Sequence, residues 1–442
     1  MSLLNAEPDL SRDSFYAATV NAPPAGAALQ GDVEADVAVV GGGLAGLSAA
    51  LDLAQAGRRV VLLEAQRIGF GASGRNGGQA IHGLACDQAV IEHDLGLSAA
   101  RRIWDMSIEA LDLLRQRIRD HAIDCDWQDG YLAVAIGPRK AAALLAATDD
   151  LEARYGFAQK RIAKADLSGW IASPRYDAAV HDPRSGHLHP LKYTLGLARA
   201  ARAAGVTIHE HSAVLRVAQG PTPVLHTATG TVRAGQVLLA GNVYLDGVAP
   251  GIEARIMPVG TYIVASQPLA PQRAAALIPC GAAVCDTNFV LDYFRLAPDA
   301  RHGDAQRLLY GGRVSYSART PRHLVASMAG RMHRTFPQLA EVGVDHAWGG
   351  FVDITMSRAP DFGRLPASGH AANVYYLQGF SGHGVALTGL AGRLVAQAMR
   401  GDAERFDLFA RLRHRAFPGG RLLRMPSLVL GMAWYRLKDA WL

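Results

Sequence analysis

The chain has 442 residues, of which 50% are hydrophobic and 19% charged, so it can bury the cores of two globular domains. Its net charge of +6 is modest and its arginines form no basic run, which excludes a nucleic-acid-binding tract. The four cysteines form no CxxC pair, so the sequence predicts neither a disulfide framework nor a metal site. Acids stand where a secretory signal has its apolar core, and no apolar run reaches the roughly 20 residues of a bilayer span, so we expect a cytoplasmic protein.

The opening of the chain predicts an arm followed by a nucleotide-binding unit. Residues 1–34 show little periodicity and are predicted to form an irregular arm, to which we assign no chemistry. A β-branched apolar run at 35–40 predicts a buried strand that ends in three glycines. Leucines then recur at helical spacing, and a second strand is predicted at 59–63.

The first glycine segment has GxGxxG spacing at Gly41, Gly43 and Gly46. The three glycines allow a tight turn, a close backbone approach to a pyrophosphate, and close packing of helix on strand. The helix that follows directs its N-terminal N–H groups toward the phosphates. Glu64 ends the second strand about twenty residues later, where a ribose diol needs an acceptor. Either NAD or FAD satisfies this pattern.

A second glycine-rich loop occupies residues 69–79, directly after the ribose acid. A nicotinamide dehydrogenase has no evident use for such a loop at this place. A cofactor that continues past its pyrophosphate into a large flat ring does, so the sequence favours FAD.

The middle of the chain predicts helices and short strands. Helices are predicted at 99–122, 138–155 and 192–204, and strands at 130–136, 207–217 and 231–240. His187 and His189 invite a metal interpretation, but no cysteine or acid completes a ligand set at useful spacing. We favour turn or surface positions for both. Short alternating strands between 255 and 320 predict an antiparallel sheet.

The last third repeats the opening logic with a strand from 373, a glycine turn at 379–384 and a helix at 385–399. The helix N-terminus would face the pyrimidine edge of a flavin, where negative charge collects on reduction. The tail is apolar from Leu428 onward. It could form a membrane-surface helix, although packing against the cofactor domain is the favoured interpretation.

The sequence resembles the D-amino acid oxidase superfamily of flavoproteins. The resemblance is carried by VVGGGLAGLSAA, ASGRNGGQ, HPLKYTLGLA, DITMSRAPDFGRLP and YYLQGFSGHGVALTGLAG, and SGRNGGQ is similar to its gamma-glutamylputrescine oxidase branch. It implies an α/β fold in which a Rossmann-like FAD-binding domain of the GR2/DAO type carries an inserted antiparallel β-sheet substrate domain. The expected boundaries are 1–34 for the arm, 35–98, 160–250 and 345–442 for the FAD-binding domain, and 99–159 and 251–344 for the substrate domain.

The cofactor expected from motifs and resemblance together is noncovalent FAD, because no cysteine follows Cys285, whereas some relatives attach the ring through a later one. Val214 and the turn 240–242 are implied by the resemblance alone. The predicted cofactor-binding residues are Gly41, Gly43, Leu44, Ala45, Gly46, Glu64, Ala65, Gly71, Ala72, Ser73, Gly74, Arg75, Asn76, Gly77, Gly78, Gln79, Val214, Ala240, Gly241, Asn242, Gly379, Gly382, His383, Gly384, Val385 and Ala386.

The implied substrate is an amine without an α-carboxylate. Where relatives that oxidise amino acids place an Arg-Pro pair to hold that group, this chain has Met356-Ser357, and Arg358 is out of register. We expect gamma-glutamylputrescine or a related polyamine derivative to give an aldehyde and ammonia, with hydrogen peroxide if oxygen is the acceptor. The alternative is a dehydrogenase of D-amino acids or sarcosine-like amines that passes electrons to a quinone.

Seven side chains are candidates for the substrate chamber. Each of the aromatic and histidine candidates has a core or structural alternative. The predicted catalytic residues are His82, Tyr262, Tyr293, Trp348 and His383, and Arg295 or Arg313 would hold the distal glutamyl carboxylates.

Overall fold

The computed structural model describes residues 3–4, 10, 13–288, 290–315 and 320–419. The strands within this part are β1 Gly31–Val40, β2 Val60–Leu63, β3 Gln79–Ala80, β4 Gln128–Ala135, β5 Lys160–Ala163, β6 Ala178–His187, β7 Thr207–His209, β8 Arg216–Ala218, β9 Val224–His226, β10 Gly230–Leu239, β11 Ile256–Ser266, β12 Ala283–Asp286, β13 Tyr293–Pro298, β14 Gln306–Ser315, β15 Val344–Thr355, β16 Asp361–Arg364 and β17 Val374–Gln378. The helices are α1 Phe15–Ala18, α2 Leu44–Gln55, α3 Gln88–Leu95, α4 Leu97–Asp120, α5 Pro138–Tyr155, α6 Pro190–Ala203, α7 Pro250–Glu253, α8 Pro271–Leu277, α9 Leu324–Thr335, α10 Gly384–Met399 and α11 Glu404–Ala410.

The first sheet has the order β16-β17-β10-β1-β2-β7, with β8 and β9 extending from β10. Strand β1 pairs in parallel with both β10 and β2, and β17 pairs in parallel with β10. Helix α10 packs on α2 so closely that a Cβ on Gly392 would lie 2.6 Å from Ser48 Oγ. This is the predicted Rossmann-like unit, built from both ends of the chain.

The second sheet has the order β15-β11-β14-β13-β12-β4-β6-β3, with β5 on β6. The pairs that join β11, β13, β14 and β15 are antiparallel, which confirms the predicted antiparallel sheet. One join, between β12 and β4, is parallel. Tyrosines and phenylalanines from these strands pack against α9 and form the second core.

Several segments differ from the predicted boundaries. Helix α4, predicted in the substrate domain, packs in the core of the first sheet with α2 and α10, and β3 pairs with β6 of the second sheet. Residues 160–187 were assigned to the FAD-binding domain, but β5 and β6 belong to the second sheet because the ten-residue β6 pairs along β4. Strand β15 lies almost entirely within 345–442, which was also predicted for the FAD-binding domain. It belongs to the second sheet, because it pairs with β11 along its length. The predicted strand 207–217 is divided into β7 and β8 because His211 has a φ of +52° and its N–H donates to Gln66 O.

The arm contains the short helix α1, whose Phe15 and Tyr16 are completely buried. Asp13 forms an antiparallel bridge with Ala347, at the start of β15. The short helix is thus packed in the core beside the second sheet, contrary to the predicted irregular arm. Residues 20–30 form no helix or strand and are mostly exposed, as predicted.

No helix in the described ranges is long and apolar enough to cross a bilayer. The predicted apolar tail from Leu428 lies outside the described residues. Among the residues that the structure places, no three His, Cys, Asp or Glu side chains are grouped to hold a metal ion.

Candidate functional site

A cavity of about 280 Å³ lies where the ends of β1 and β10 meet the N-termini of α2 and α10. Segments from four predicted motifs line it together. The predicted cofactor-binding residues in its wall are Gly41, Gly43, Leu44, Ala45, Glu64, Ala65, Gly71, Ala72, Ser73, Asn76, Val214, Ala240, Gly241, Asn242, Gly382, Gly384 and Val385.

The first glycine turn brings α2 against β1. A Cβ on Gly46 would lie 2.0 Å from Gly41 O, and Gly41 itself has a φ of +111°, so the turn requires glycine at both positions. Gly43 is the N-cap of α2, which has no side-chain cap from that residue and no acid in its first turn. The positive end of the helix dipole therefore faces the cavity without an acidic side chain of its own.

Glu64 stands at the cavity wall as predicted. Its Oε2 accepts from Gly42 N at 2.7 Å and its Oε1 accepts from Gln66 N at 2.9 Å. Burial raises the pKa of this carboxyl, although the two backbone N–H groups act in the opposite direction. Each oxygen keeps a further lone pair with which it could accept from a sugar hydroxyl.

The second glycine loop folds over the N-terminus of α2. Ser73 Oγ accepts from Leu44 N at 2.9 Å, so this loop supplies the hydroxyl that Gly43 lacks. Asn76 fixes the shape of the loop, since its Nδ2 donates to Ala72 O and its Oδ1 accepts from Gly78 N at 2.7 Å. The two glycine segments predicted as separate motifs thus form one structural unit.

The N-terminus of α10 reaches the cavity from the other side. His383 is its N-cap, without a side-chain cap bond or an acid in the first turn. Asp353, at the end of β15, accepts from Gly379 N and Phe380 N in the preceding turn. Burial raises the pKa of Asp353 to about 6, against the effect of these donors.

The side chain of Asn242 presents a buried acceptor at the cavity wall. Asn242 Oδ1 is buried without a hydrogen bond among the described residues, and Asn242 lines the cavity. A buried acceptor without a donor is costly and indicates a ligand that supplies one. Two helix N-termini free of acidic residues, a carboxylate at a strand end and this orphaned amide oxygen together fit a dinucleotide with an anionic pyrophosphate.

Nine predicted cofactor residues lie outside the cavity wall. The side chains of three of them contact other parts of the protein. Arg75 stacks on Phe70 at 4.4 Å, and Gln79 donates to Val284 O at 3.0 Å. His383 donates through Nε2 to His82 O at 2.8 Å. Burial lowers the pKa of His383 to about 4, so its ring is neutral at pH 7. The others shape the turns and helices of the site without facing it: Gly46, Gly74, Gly77, Gly78, Gly379 and Ala386.

His82 lies in a cluster beside α10. Its ring Nδ1 donates to Asp182 Oδ2 at 2.7 Å, and its backbone N–H donates to Ser185 Oγ at 3.0 Å. Ring centroids of Phe157 and Trp104 lie 4.6 and 5.7 Å from its own. Burial would raise the pKa of Asp182, but hydrogen bonds from His82 and Ser185 hold that pKa below its ordinary value.

The three other aromatic candidates occupy different places. Tyr293 lies flat between Gly77 and Gly311, where added Cβ atoms would come within 2.8 and 2.1 Å of its ring, and it is half-buried. Trp348 is buried and donates from Nε1 to Arg75 O at 3.0 Å. Tyr262 lies in the core of the second sheet. Of the two tyrosine candidates, Tyr293 is thus the one that packs against Gly77 of the second glycine loop.

The two arginine candidates are not equivalent. Arg295 is 2% exposed and donates to Gly77 O at 2.7 Å, to Leu296 O at 3.2 Å and to Tyr16 Oη at 3.1 Å. Its guanidinium therefore serves the protein, in contrast to its predicted contact with substrate. Arg313 is half-buried at the end of β14, with a φ of +52°.

Several residues of the site were missed by the sequence reasoning. Phe70, Tyr244, Asp353 and Thr388 line the cavity, and Asp182 holds His82. Tyr244 follows the predicted turn 240–242 and Phe70 lies inside the predicted loop, so their neighbourhood gave a usable signal. Asp182 gave none, because it reaches His82 only through the pairing of β6 in the second sheet.

Comparison with known proteins agrees with this geometry. The sequence pattern of the family described as DAO, FAD dependent oxidoreductase, matches residues 36–398. The chain is 45% identical to gamma-glutamylputrescine oxidoreductase of Escherichia coli K12 over 428 residues, which cover 96% of this chain and 98% of that protein. It is 39% identical to a probable oxidoreductase, OrdL, of Haemophilus influenzae, with 92% of each chain covered.

Solved structures share the fold at low sequence identity. Glycine oxidase from Geobacillus kaustophilus superposes with a TM-score of 0.68 at 20% identity, over 83% of this chain and 95% of that one. L-proline dehydrogenase from P. horikoshii gives a TM-score of 0.69 at 19% identity, over 87% and 98%. These likenesses support the two-sheet architecture alone.

Proposed function

The chain belongs to the DAO family of FAD-dependent oxidoreductases, and we propose that it oxidises gamma-glutamylputrescine or a related polyamine derivative at its primary amine. It is an enzyme that uses FAD and acts on a carbon-nitrogen single bond. The observation that carries the proposed substrate is 45% identity to gamma-glutamylputrescine oxidoreductase across 96% of the chain. The proposed products are an imine that water hydrolyses to an aldehyde and ammonia, and the acceptor is oxygen or a quinone.

The proposed FAD site is the cavity that is lined by the two glycine segments and by the N-termini of α2 and α10. The N-terminus of α2 would hold the pyrophosphate, Glu64 the ribose hydroxyls, and Val214 the adenine side. The N-terminus of α10, at Gly384, would face the pyrimidine edge of the ring. When bound, FAD supplies the oxidising power by accepting a hydride from the carbon beside the amine.

His82 is the proposed acceptor for the proton that the substrate ammonium must lose. An alkylammonium has a pKa near that of lysine, about 10.4, and only the neutral amine gives up a hydride readily. Because Asp182 holds the Nδ1–H of His82, the neutral ring keeps its lone pair on Nε2. Nε2 has no hydrogen-bond partner in the part of the chain that the structure describes, and the side chain is 13% exposed.

Arg313 is the remaining proposed contact for the distal carboxylate, since the donors of Arg295 bind backbone and tyrosine oxygens. Tyr293 and Trp348 are kept as proposed wall residues beside the second glycine loop, and Tyr262 and His383 as structural supports of that wall. At the end of β15, where the Arg-Pro pair is absent, Met356 is 53% exposed. This arrangement fits an amine whose carboxylate is far from the oxidised carbon.

The direct test is reduction of the purified yellow protein without oxygen. We expect gamma-glutamylputrescine to bleach the visible flavin band, with putrescine slower and sarcosine and D-alanine without effect. Each reduced sample is then divided in two. One half is exposed to air and the other is mixed with a soluble quinone without oxygen. The rates of flavin reoxidation in the two halves are compared, and hydrogen peroxide is measured in the first. Bleaching by D-alanine or sarcosine, with none by the two polyamines, would contradict the proposed substrate and favour the amino-acid alternative. No bleaching by any of the four would contradict amine oxidation.

A further inference from the structure

The second glycine loop is held from behind by two side chains of the second sheet. Arg295 on β13 donates to Gly77 O at 2.7 Å, and Trp348 on β15 donates to Arg75 O at 3.0 Å. The two bound carbonyls flank Asn76, which lines the cavity. The shape of the cavity wall at this point therefore depends on where these two side chains lie.

Arg295 is a buried cation without an acidic partner. It is 2% exposed, and within the described residues no carboxylate lies at ion-pair distance from it. Its hydrogen-bond acceptors are two backbone carbonyls and the hydroxyl of Tyr16. A guanidinium buried in this way depends on every acceptor it has, because an unsatisfied charged donor is costly. A Cβ on Gly78 would lie 2.9 Å from its Nη2, so the loop backbone packs directly on the guanidinium.

Tyr16 in the arm contacts both of these side chains. Its Oη accepts from Arg295 Nη2 at 3.1 Å, and its ring packs edge-on against Trp348 with centroids 5.2 Å apart. It is completely buried, and Thr19 Oγ1 in the arm accepts a hydrogen bond from His189 Nε2 at 3.1 Å, because the other ring nitrogen accepts from Lys192 N. One residue near the start of the chain thus touches the holders of both carbonyls.

We propose that Tyr16 is a positioning residue for the flavin: through Arg295 and Trp348 it fixes the second glycine loop, so that docking of the N-terminal arm sets how tightly FAD is held. The proposal rests on the proposed placement of FAD along this loop. It does not depend on which amine is oxidised. It assigns a functional role to an arm whose sequence pointed to none.

The competing explanation is that Tyr16 only fills space. The variant Tyr16→Phe separates the two, because it keeps the ring and its packing and removes only the oxygen that Arg295 needs. The matched control is Tyr310→Phe, which likewise removes the hydroxyl of a fully buried tyrosine, here on β14 of the second sheet. That hydroxyl is bonded to Thr335 Oγ1 at 2.8 Å and does not contact the glycine loop. Arg295→Lys is a third variant that keeps the charge and loses the fork of donors.

The experiment titrates apoprotein with FAD and follows the quenching of flavin fluorescence, with thermal unfolding of each apoprotein in parallel. We expect Tyr16→Phe and Arg295→Lys to weaken FAD binding about tenfold, the scale of one hydrogen bond to a charged group, and Tyr310→Phe to bind like wild type. At saturating FAD the visible circular dichroism of the first two variants should also change, since the loop around the ring is altered.

Two results would overturn the proposal. One is wild-type FAD affinity and wild-type dichroism in Tyr16→Phe. The other is equal weakening in Tyr16→Phe and Tyr310→Phe at equal loss of apoprotein stability, which would make the effect one of general core packing. Failure of wild-type protein itself to bind FAD would instead contradict the cofactor site, so the two failures are distinguishable.

Discussion

His82 is held on every side except at Nε2. Its backbone N–H and carbonyl are bonded to Ser185 and His383, Nδ1 to Asp182, and aromatic rings flank the imidazole. Such restraint fixes both the position and the tautomer of the ring, as a proton acceptor requires.

If His82 accepts the substrate proton, its loss should matter less at high pH, where the amine is already neutral. We expect His82→Gln to lower kcat/KM about a hundredfold at pH 7, and the deficit to shrink toward pH 10. Asp182→Asn should lower it about tenfold in the same pH-dependent way. The measurement is the pH profile of anaerobic flavin reduction at low substrate concentration.

The control is Ser107→Ala, which removes the hydroxyl that accepts from Gly83 N and leaves the imidazole contacts intact. A deficit in His82→Gln that stays constant from pH 7 to pH 10 would show a structural role for the ring.

At the scale of single residues the sequence was informative where spacing defined the function, as for Glu64. It was silent for Asp182 and Tyr16, whose contacts join segments 100 and 279 residues apart.

The buried carboxyl of Asp353 accepts two of the hydrogen bonds that join strand β15 to the turn before α10. Burial raises its pKa from 3.8 to about 6, so the folded state binds the proton more tightly than the unfolded state. Its contribution to stability is therefore greatest below about pH 4 and is lost as the pH rises to about 6. The difference corresponds to about 3 kcal/mol.

Asp353→Asn resembles the protonated form, because its amide oxygen can accept from the same two N–H groups. We expect the variant to match wild type near pH 4 and to be more stable above pH 6, by up to about 3 kcal/mol in urea unfolding. Asp304→Asn, on an exposed turn, should show no such pH-dependent difference. Equal differences at pH 4 and pH 7 would mean that Asp353 is already ionised in the folded protein across this range.

Elements with local signals were predicted well. Helix α5 runs over 138–155 as expected, because Pro138 favours its first turn and Gly156 ends it in the left-handed region. The segment that forms β6 was predicted in the FAD-binding domain, but β6 belongs to the second sheet. Its sheet is decided by pairing with β4, some fifty residues earlier, which no local pattern records.

At the scale of the whole molecule, the cavity wall is assembled from segments between Leu4 and Thr388. A ligand bound there contacts segments from most of the chain, so its binding should stabilise the fold as a whole. We expect FAD at about 100 times its Kd to raise the unfolding free energy of apoprotein by about 2.7 kcal/mol, and NAD at the same concentration to leave it unchanged. Thermal unfolding with each nucleotide measures this. Stabilisation by NAD and none by FAD would contradict the assignment of the cavity.

The position of α10 near residue 384 has a consequence for biosynthesis. A ribosome synthesises the first glycine segment at Gly41, yet the helix proposed to face the flavin begins only at Gly384. The nascent polypeptide therefore has no complete cavity until this helix has been synthesised. On the proposed placement of FAD, capture of the cofactor therefore follows the synthesis of α10, and the strands of the Rossmann-like sheet that precede it are made before the site is complete.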